Sequence, residues 1–317
     1  MNIQERLKFF SDNYDLISDG TYSSGSKQYV GSKEVPRKCR FCDLPAPTFS
    51  TEAHAIPECL GNHQLILHEE CDACNKFFSE KLEDHLDKYT KPFRTIAQIK
   101  GKKKVPAYKS KDYSTRIQLD QTLKVTAYED SDHVQIDEEN STVQLKLNLE
   151  PHIPAAAYKA LVKIAISTIA DGRELEAFKY TIRWLKELDH SKAFLDPQNL
   201  MITFVPGHQP TLGVVSMLFR RKQSCEENVP YCVYVIAFGN FVYQLIVPSH
   251  LDAESGAQIN LLLPYFPTPF ESDWPFGAVA RHIDKMLVTE KIARTRTITL
   301  GAERIEKMEG DAIGECS

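Results

Sequence analysis

The sequence predicts an α+β protein in which a small cysteine-bearing module precedes a larger mixed α+β domain. Three observations carry this. Two Cys-x-x-Cys pairs, Cys39/Cys42 and Cys71/Cys74, fall within one short segment. Residues 115–149 alternate apolar and polar, as half-buried strands do. Two helical patterns then separate these strands from a second set of apolar, β-branched segments, the element order of an α+β domain. The 317 residues are 42% hydrophobic and 26% charged, enough for a sizeable core without disulfide staples. The expected organisation is an N-terminal helix and linker over 1–35, the cysteine module with a basic extension over 36–104, the α+β domain over 105–300 and a flexible tail over 301–317.

The elements follow in order. Ile3, Leu7, Phe9, Phe10 and Leu16 have near-helical spacing, so a short helix is expected within 2–19. Residues 20–35 are rich in Gly, Ser and Lys and read as a loop. Ile117/Leu119, Leu123/Val125/Ala127 and Val143/Leu145/Leu147/Leu149 are strand patterns. Pro154 opens a run from Ala155 to Ala170 that is apolar on nearly every side, predicting a buried helix with Pro in its first turn. Leu175, Phe178, Ile182, Leu185 and Leu188 predict an amphipathic helix over 173–188. Strands are expected at Met201–Val205, Val214–Phe219, Val233–Phe238 and Phe241–Val247, with Gly239-Asn240 as a hairpin turn. Ile259–Leu263 is a further strand candidate, 278–292 a helix candidate, and Arg296–Leu300 a last strand. The aromatic stretch Tyr231–Phe241 reads as core packing.

The net charge of −5 does not suit a nucleic-acid binder, but its distribution is uneven. From Lys88 to Lys124 there are eleven Lys or Arg against two Asp, whereas Glu129–Glu139 holds six acidic residues and no Lys or Arg. Lys100, Lys102, Lys103 and Lys104 are candidate phosphate contacts, giving affinity without sequence choice; the plain alternative is a solvated lysine loop. Met1–Arg6 is charged, unlike a secretory leader, and no apolar run reaches the roughly 18 residues of a membrane span. A cytoplasmic protein with no membrane partner is expected, and there paired cysteines hold metal more often than they form disulfides.

Each Cys-x-x-Cys turn places two thiolates on one side of a knuckle. Together they supply four sulfurs at about 2.3 Å around a tetrahedral Zn²⁺. Four ligands leave no open position, so the zinc is expected to be structural. The 28 residues between the pairs exceed the usual zinc-ribbon spacer of about 15–20 and must carry structure of their own. Cys59, Cys225, Cys232 and Cys316 read as ordinary cysteines.

That spacer reads Thr51-Glu52-Ala53-His54-Ala55-Ile56-Pro57-Glu58-Cys59-Leu60-Gly61-Asn62, and Asn75-Lys76-Phe77-Phe78 follows the second pair. At these residues the chain resembles the HNH endonucleases, in particular the zinc-knuckle subgroup with Cys-x-x-Cys, His-x-Ile-Pro-x-x-Leu-Gly and Cys-x-x-Cys-Asn. The resemblance covers residues 36–90. It implies a ββα-metal module with its first strand ending at His54, a loop at Leu60-Gly61-Asn62 and a helix starting near Asn75. It further implies that His54 is the general base of phosphodiester hydrolysis, Asn62 the middle residue that orients it through the backbone or the ring, and Asn75 the last motif position and an oxygen ligand of a catalytic Mg²⁺ or Mn²⁺. A neutral imidazole suits the first role, since its pKa near 6.5 lets it take a proton at cellular pH.

The chain departs from the pattern at Ala53, where most members carry an acidic metal ligand. Glu52, Glu58 and Glu83 are the candidate substitutes. Glu83 ranks above Glu52, because eight residues after Asn75 is about two helical turns on the same face. The plain readings are a surface histidine for His54, a turn residue for Asn62 and a helix N-cap for Asn75. His63, His68 and His85 read as non-ligands, since no partner spacing singles them out.

The resemblance implies a nucleic-acid substrate, DNA above all. By analogy with modules joined to a large second domain it suggests phage defence or restriction. A homo-oligomer or a regulatory partner would act through the C-terminal domain. The competing reading, supported by Ala53, is an inactive zinc-stabilised nucleic-acid-binding or interaction module. A redox role is disfavoured, because neither pair sits in a βαβ pattern.

Overall fold

A six-stranded antiparallel sheet and one helix buried on every side organise the computed structural model, which describes residues 1–23, 25–101, 104–190, 198–254, 263–272 and 274–306. In chain order the elements begin with α1 (Ile3–Asn13), β1 (Tyr14–Tyr22), β2 (Gln28–Val30), β3 (Ala53–His54), β4 (Leu65–Leu67) and α2 (Asp72–Phe78). A π-turn (Ser79–Glu83) runs straight into α3 (Asp84–Ile96). Strands β5 (Tyr108–Lys109), β6 (Thr115–Leu119), β7 (Leu123–Ala127), β8 (Val134–Asp137) and β9 (Thr142–Asn148) precede α4 (Pro154–Ser167), a 3₁₀ turn (Gly172–Phe178) and α5 (Lys179–Leu185). Last come β10 (Asn199–Phe204), β11 (Thr211–Arg221), β12 (Cys232–Gly239), β13 (Phe241–Ile246), α6 (His250–Glu254), β14 (Ala280–Lys285) and β15 (Thr295–Gly301).

The large sheet has the order β1-β11-β12-β13-β10-β14. Its centre is the hairpin β12–β13, whose strands are buried throughout and pair Phe238 with Phe241 across the turn. Gly239 sits there at φ 54, and a Cβ on it would fall 2.5 Å from the Cβ of Ala97, just past α3. Among the described residues three small sheets accompany it: β15-β9-β8, β5-β6-β7, and β2-β4-β3 with β2 parallel and β3 antiparallel to β4.

Two expected helical segments turn out otherwise. The helix expected within 2–19 ends at Asn13, and residues 14–22 join the large sheet beside β11. Residues 278–292, expected as a helix, contain β14, an almost wholly exposed edge strand on β10. Its polar residues carry no strand signal of their own; the open edge of β10 supplies the partner. The amphipathic stretch after Asp171 begins as the 3₁₀ turn before it becomes α5. The candidate strand at 259–263 lies outside the described residues save Leu263, and the tail is described only to residue 306.

All fourteen residues of α4 are buried, as its all-round apolar sequence requires. Tyr158 donates to the carbonyl of Ile246 in β13 at 2.6 Å. One apolar cluster joins Phe41, Ile56, Leu60, Phe78 and Leu86 of the cysteine segment to Tyr158, Leu161 and Ile164 of α4 and to Tyr234 and Tyr243 of the large sheet. Polar contacts reinforce this joint. The Arg40 guanidinium donates to the carbonyls of Ile166 and Ile169 at 2.9 and 3.0 Å, capping α4, and pairs with Glu69 at 2.7 Å. Lys163 lies between Glu70 and Glu83, at 2.9 and 3.1 Å. Among the described residues no helix is long and apolar enough to cross a membrane.

Candidate active site and metal centre

Cys39, Cys42, Cys71 and Cys74 converge so that their sulfurs all lie within 4.8 Å of one another, a cluster that can hold a metal ion. Two loops bring them together: the turn before Phe41, and the start of α2, where Cys71 is the N-cap residue. The Cys42 and Cys71 sulfurs are 3.6 Å apart. The backbone N–H groups of Phe41 and Cys71 both donate to the Cys39 sulfur at 3.4 Å. A donated hydrogen bond from the Cys74 thiol, helped by these two N–H groups, pulls the Cys39 pKa down to about 5. The same hydrogen bond holds the Cys74 thiol up, and burial raises Cys71 to about 11, so before any metal binds the thiolate sits on Cys39. Lys186 of the segment after α5 holds the knuckle from outside by donating to the Phe41 carbonyl at 2.9 Å. Cys59 stands apart: burial pushes its thiol up to about 12, the state of an inert cysteine.

Between the two pairs the chain forms strand, turn and strand, and α2 follows. His54 ends β3, paired with Ile66 of β4. Pro57 opens a 3₁₀ turn over Glu58–Leu60, and Gly61 closes it at φ 96. A Cβ on Gly61 would meet Ile99 at 3.1 Å, so the loop packs on the connection that leads to Lys100. Asn62 is 0% exposed and uses its whole amide. Its Nδ2 donates to the carbonyls of Ile56 and Leu65 at 2.6 and 3.2 Å, and its Oδ1 accepts from the N–H groups of Gln64 and Leu65 at 3.1 and 2.9 Å. Asn62 thus clamps the loop after His54 through its backbone, and none of these bonds reaches the His54 ring. Asp72 braces the other side: Ser50 and Thr51 donate to it with both N–H and hydroxyl, fixing the approach to β3 and holding its carboxyl well below the usual range.

His54 is half-buried, and burial, its largest influence, lowers the ring's pKa below the ordinary value. Its Nδ1 is buried without a hydrogen-bond partner among the described residues. Its Nε2 faces Glu58 Oε1 at 3.9 Å, and the same oxygen faces His63 Nδ1 at 3.6 Å. The three side chains are all partly exposed.

The acids weighed as substitutes for Ala53 fare differently. Glu52 is paired with Lys27. Glu83 turns to Lys163, not to the face of Asn75, because the π-turn over Ser79–Glu83 takes more residues per turn than an α-helix and breaks the two-turn spacing assumed between them. Glu58 is the acid that faces His54. Asn75 lies inside α2 and not at its cap, since the helix starts at Asp72; its Nδ2 donates to Thr51 Oγ1 at 3.4 Å, three residues from His54.

The basic extension is less free than its sequence suggests. Arg94 is buried and paired with Asp87, Lys88 pairs with Asp84, and Lys91 with Glu150. Lys91–Arg94 belong to α3, with Pro92 inside the helix. Lys100 and Lys104 are exposed, while Lys102 and Lys103 lie outside the described residues.

His63, read from the sequence as a non-ligand, lies with Nδ1 3.6 Å from Glu58 Oε1. The Pro57-to-Gly61 turn, which begins at Glu58, brings residues 54, 58 and 63 near one another. Compared with known proteins, the chain matches no family model, no curated protein and no solved structure.

Proposed function

We propose that this chain is a metal-dependent endonuclease of the HNH class that hydrolyses phosphodiester bonds in nucleic acid, with DNA the expected substrate. The observation that carries this reading is His54 at the end of a strand, with its loop clamped by Asn62 and the helix bearing Asn75 directly after the second strand. The cysteine cluster is a structural zinc site. Zn–S bonds of about 2.3 Å imply sulfurs about 3.8 Å apart, close to the 3.6 Å between Cys42 and Cys71.

In the reaction water attacks the phosphorus, and the bond from phosphorus to the leaving sugar oxygen breaks. His54 Nε2 takes the water's proton, and the leaving oxygen gains a proton from solvent, giving one phosphate end and one hydroxyl end. Burial favours this role by keeping the ring neutral near pH 7. A bound divalent cation, Mg²⁺ or Mn²⁺, would offset charge on the leaving oxygen. Ala53 favours the second reading, a zinc-stabilised module that binds nucleic acid without cutting it.

Supercoiled plasmid incubated with the zinc-loaded protein in Mg²⁺ or Mn²⁺, and with EDTA, separates the two. Nicking or linearisation that needs the added ion is the expected result. A gel shift without cutting in either ion sinks the nuclease reading and leaves the binding module.

A further inference from the structure

We propose that Glu58 and His63 are the protein ligands of a divalent transition-metal site on the His54 loop, which supplies the acidic ligand that Ala53 lacks. This inference rests on the nuclease reading for its role, though not for its geometry. Glu58 Oε1 lies 3.6 Å from His63 Nδ1 and 3.9 Å from His54 Nε2. Both separations exceed the 2.7–3.2 Å or so of an N–H···O bond. The shorter lies about 0.6 Å above the roughly 3.0 Å between neighbouring ligand atoms of an octahedral ion held at about 2.1 Å, a gap that a small swing of two partly exposed side chains closes. The shorter contact is the ligand pair. The longer one leaves His54 Nε2 beside the site and free to accept a proton.

The loop is built to hold these groups in place. Pro57, the Glu58–Leu60 turn and the left-handed Gly61 fix the backbone between the two ligands, and the four hydrogen bonds of Asn62 anchor the residue directly before His63. Four other acids near the loop are engaged elsewhere: Glu52 with Lys27, Glu69 with Arg40, and Glu70 and Glu83 with Lys163. Charge and donor type therefore meet at Glu58. One carboxylate and one imidazole suit Mn²⁺ and its heavier neighbours better than Mg²⁺, which prefers an all-oxygen octahedral shell. With two protein ligands the remaining positions stay open for phosphate oxygens. The soft thiolate cluster does not compete, because it selects zinc.

The test is a titration of zinc-loaded, full-length protein with Mn²⁺, reading the free ion by electron paramagnetic resonance. Wild type should bind one ion at this site. Glu58→Gln and His63→Ala should each weaken it tenfold or more, while His54→Ala should leave affinity within twofold. In wild-type protein, substoichiometric Mn²⁺ should broaden the ring signals of His63 and His54 before those of His68 and His85, a readout independent of how any variant folds. The proposal is overturned if His63 and His54 broaden no earlier than His68, if E58Q and H63A bind as wild type, or if H54A loses the ion as they do. Cutting with unchanged Mn²⁺ affinity in E58Q and H63A removes this inference and leaves the nuclease reading. Mn²⁺ binding as expected with no cutting does the reverse.

Discussion

Replacing Lys163 by Met tests how firmly the cysteine segment is joined to α4. Its ammonium is 1% exposed and lies 2.9 Å from Glu70 and 3.1 Å from Glu83, whose side chains are 0% and 18% exposed. At an effective dielectric of about 20 each contact represents roughly 5–6 kcal/mol of gross attraction, most of it offset by desolvation of the three groups. The triad bears two negative charges and one positive. Burial pushes Glu70 up to about 7, whereas the pull of both carboxylates outweighs the burial of Lys163 and keeps it charged.

Removing Lys163 leaves Glu70 buried without its counter-charge, which should cost about 3–5 kcal/mol. In urea that is a midpoint lower by about 1 M or more. The sign with pH follows from linkage. A carboxyl whose folded pKa is raised holds its proton more tightly when folded, so stability from Glu70 falls as pH rises from its unfolded value to its folded one. The deficit of Lys163→Met should therefore be smaller at pH 5 than at pH 8, and Lys163→Met/Glu70→Gln should recover much of it. A deficit under 1 kcal/mol, or a Glu70→Gln effect that adds to the first, would refute the reasoning.

Three further outcomes are expected. Asn62→Ala strands the buried Ile56 carbonyl and Leu65 N–H; it should destabilise by about 2–4 kcal/mol in thermal unfolding and slow cutting as the loop loosens. The burial of His54 predicts a rate of cutting that climbs with pH through a pKa below the ordinary 6.5 or so and levels off above pH 7, a limb missing from His54→Gln; the folded-state preference for the neutral ring is lost as pH falls below that ordinary value. Stripping zinc with a strong chelator, or Cys74→Ser, should lower the melting temperature by about 10 °C or more, because α2 and the Arg40 cap of α4 both depend on the knuckle.

What the sequence made legible is local. Two Cys-x-x-Cys pairs announce their cluster by spacing alone, and Pro57, Gly61 and Asn62 announce a tight turn after His54. The run from Ala155 predicts α4 because only a fully enclosed helix tolerates apolar residues all round. The misses are non-local. The strand character of β1 and β14 lies in the open edges of β11 and β10, nearly two hundred and about eighty residues away in the chain. The fate of Glu83 is set by Lys163 and by a π-turn that no periodicity reveals. That Glu58 is the acid facing His54 depends on Lys27 having drawn Glu52 away, a pairing between residues 25 apart.

That His54 takes the proton from the attacking water is the step on which the proposed activity rests. Its most direct test is the rate of plasmid nicking in saturating Mn²⁺ by wild type and by His54→Ala, each loaded with zinc and shown to bind DNA equally. The expected result is a fall of about 10²–10⁴-fold, the usual contribution of a positioned base. Equal nicking rates, or a wild type that binds DNA in Mn²⁺ and leaves it intact, would contradict it.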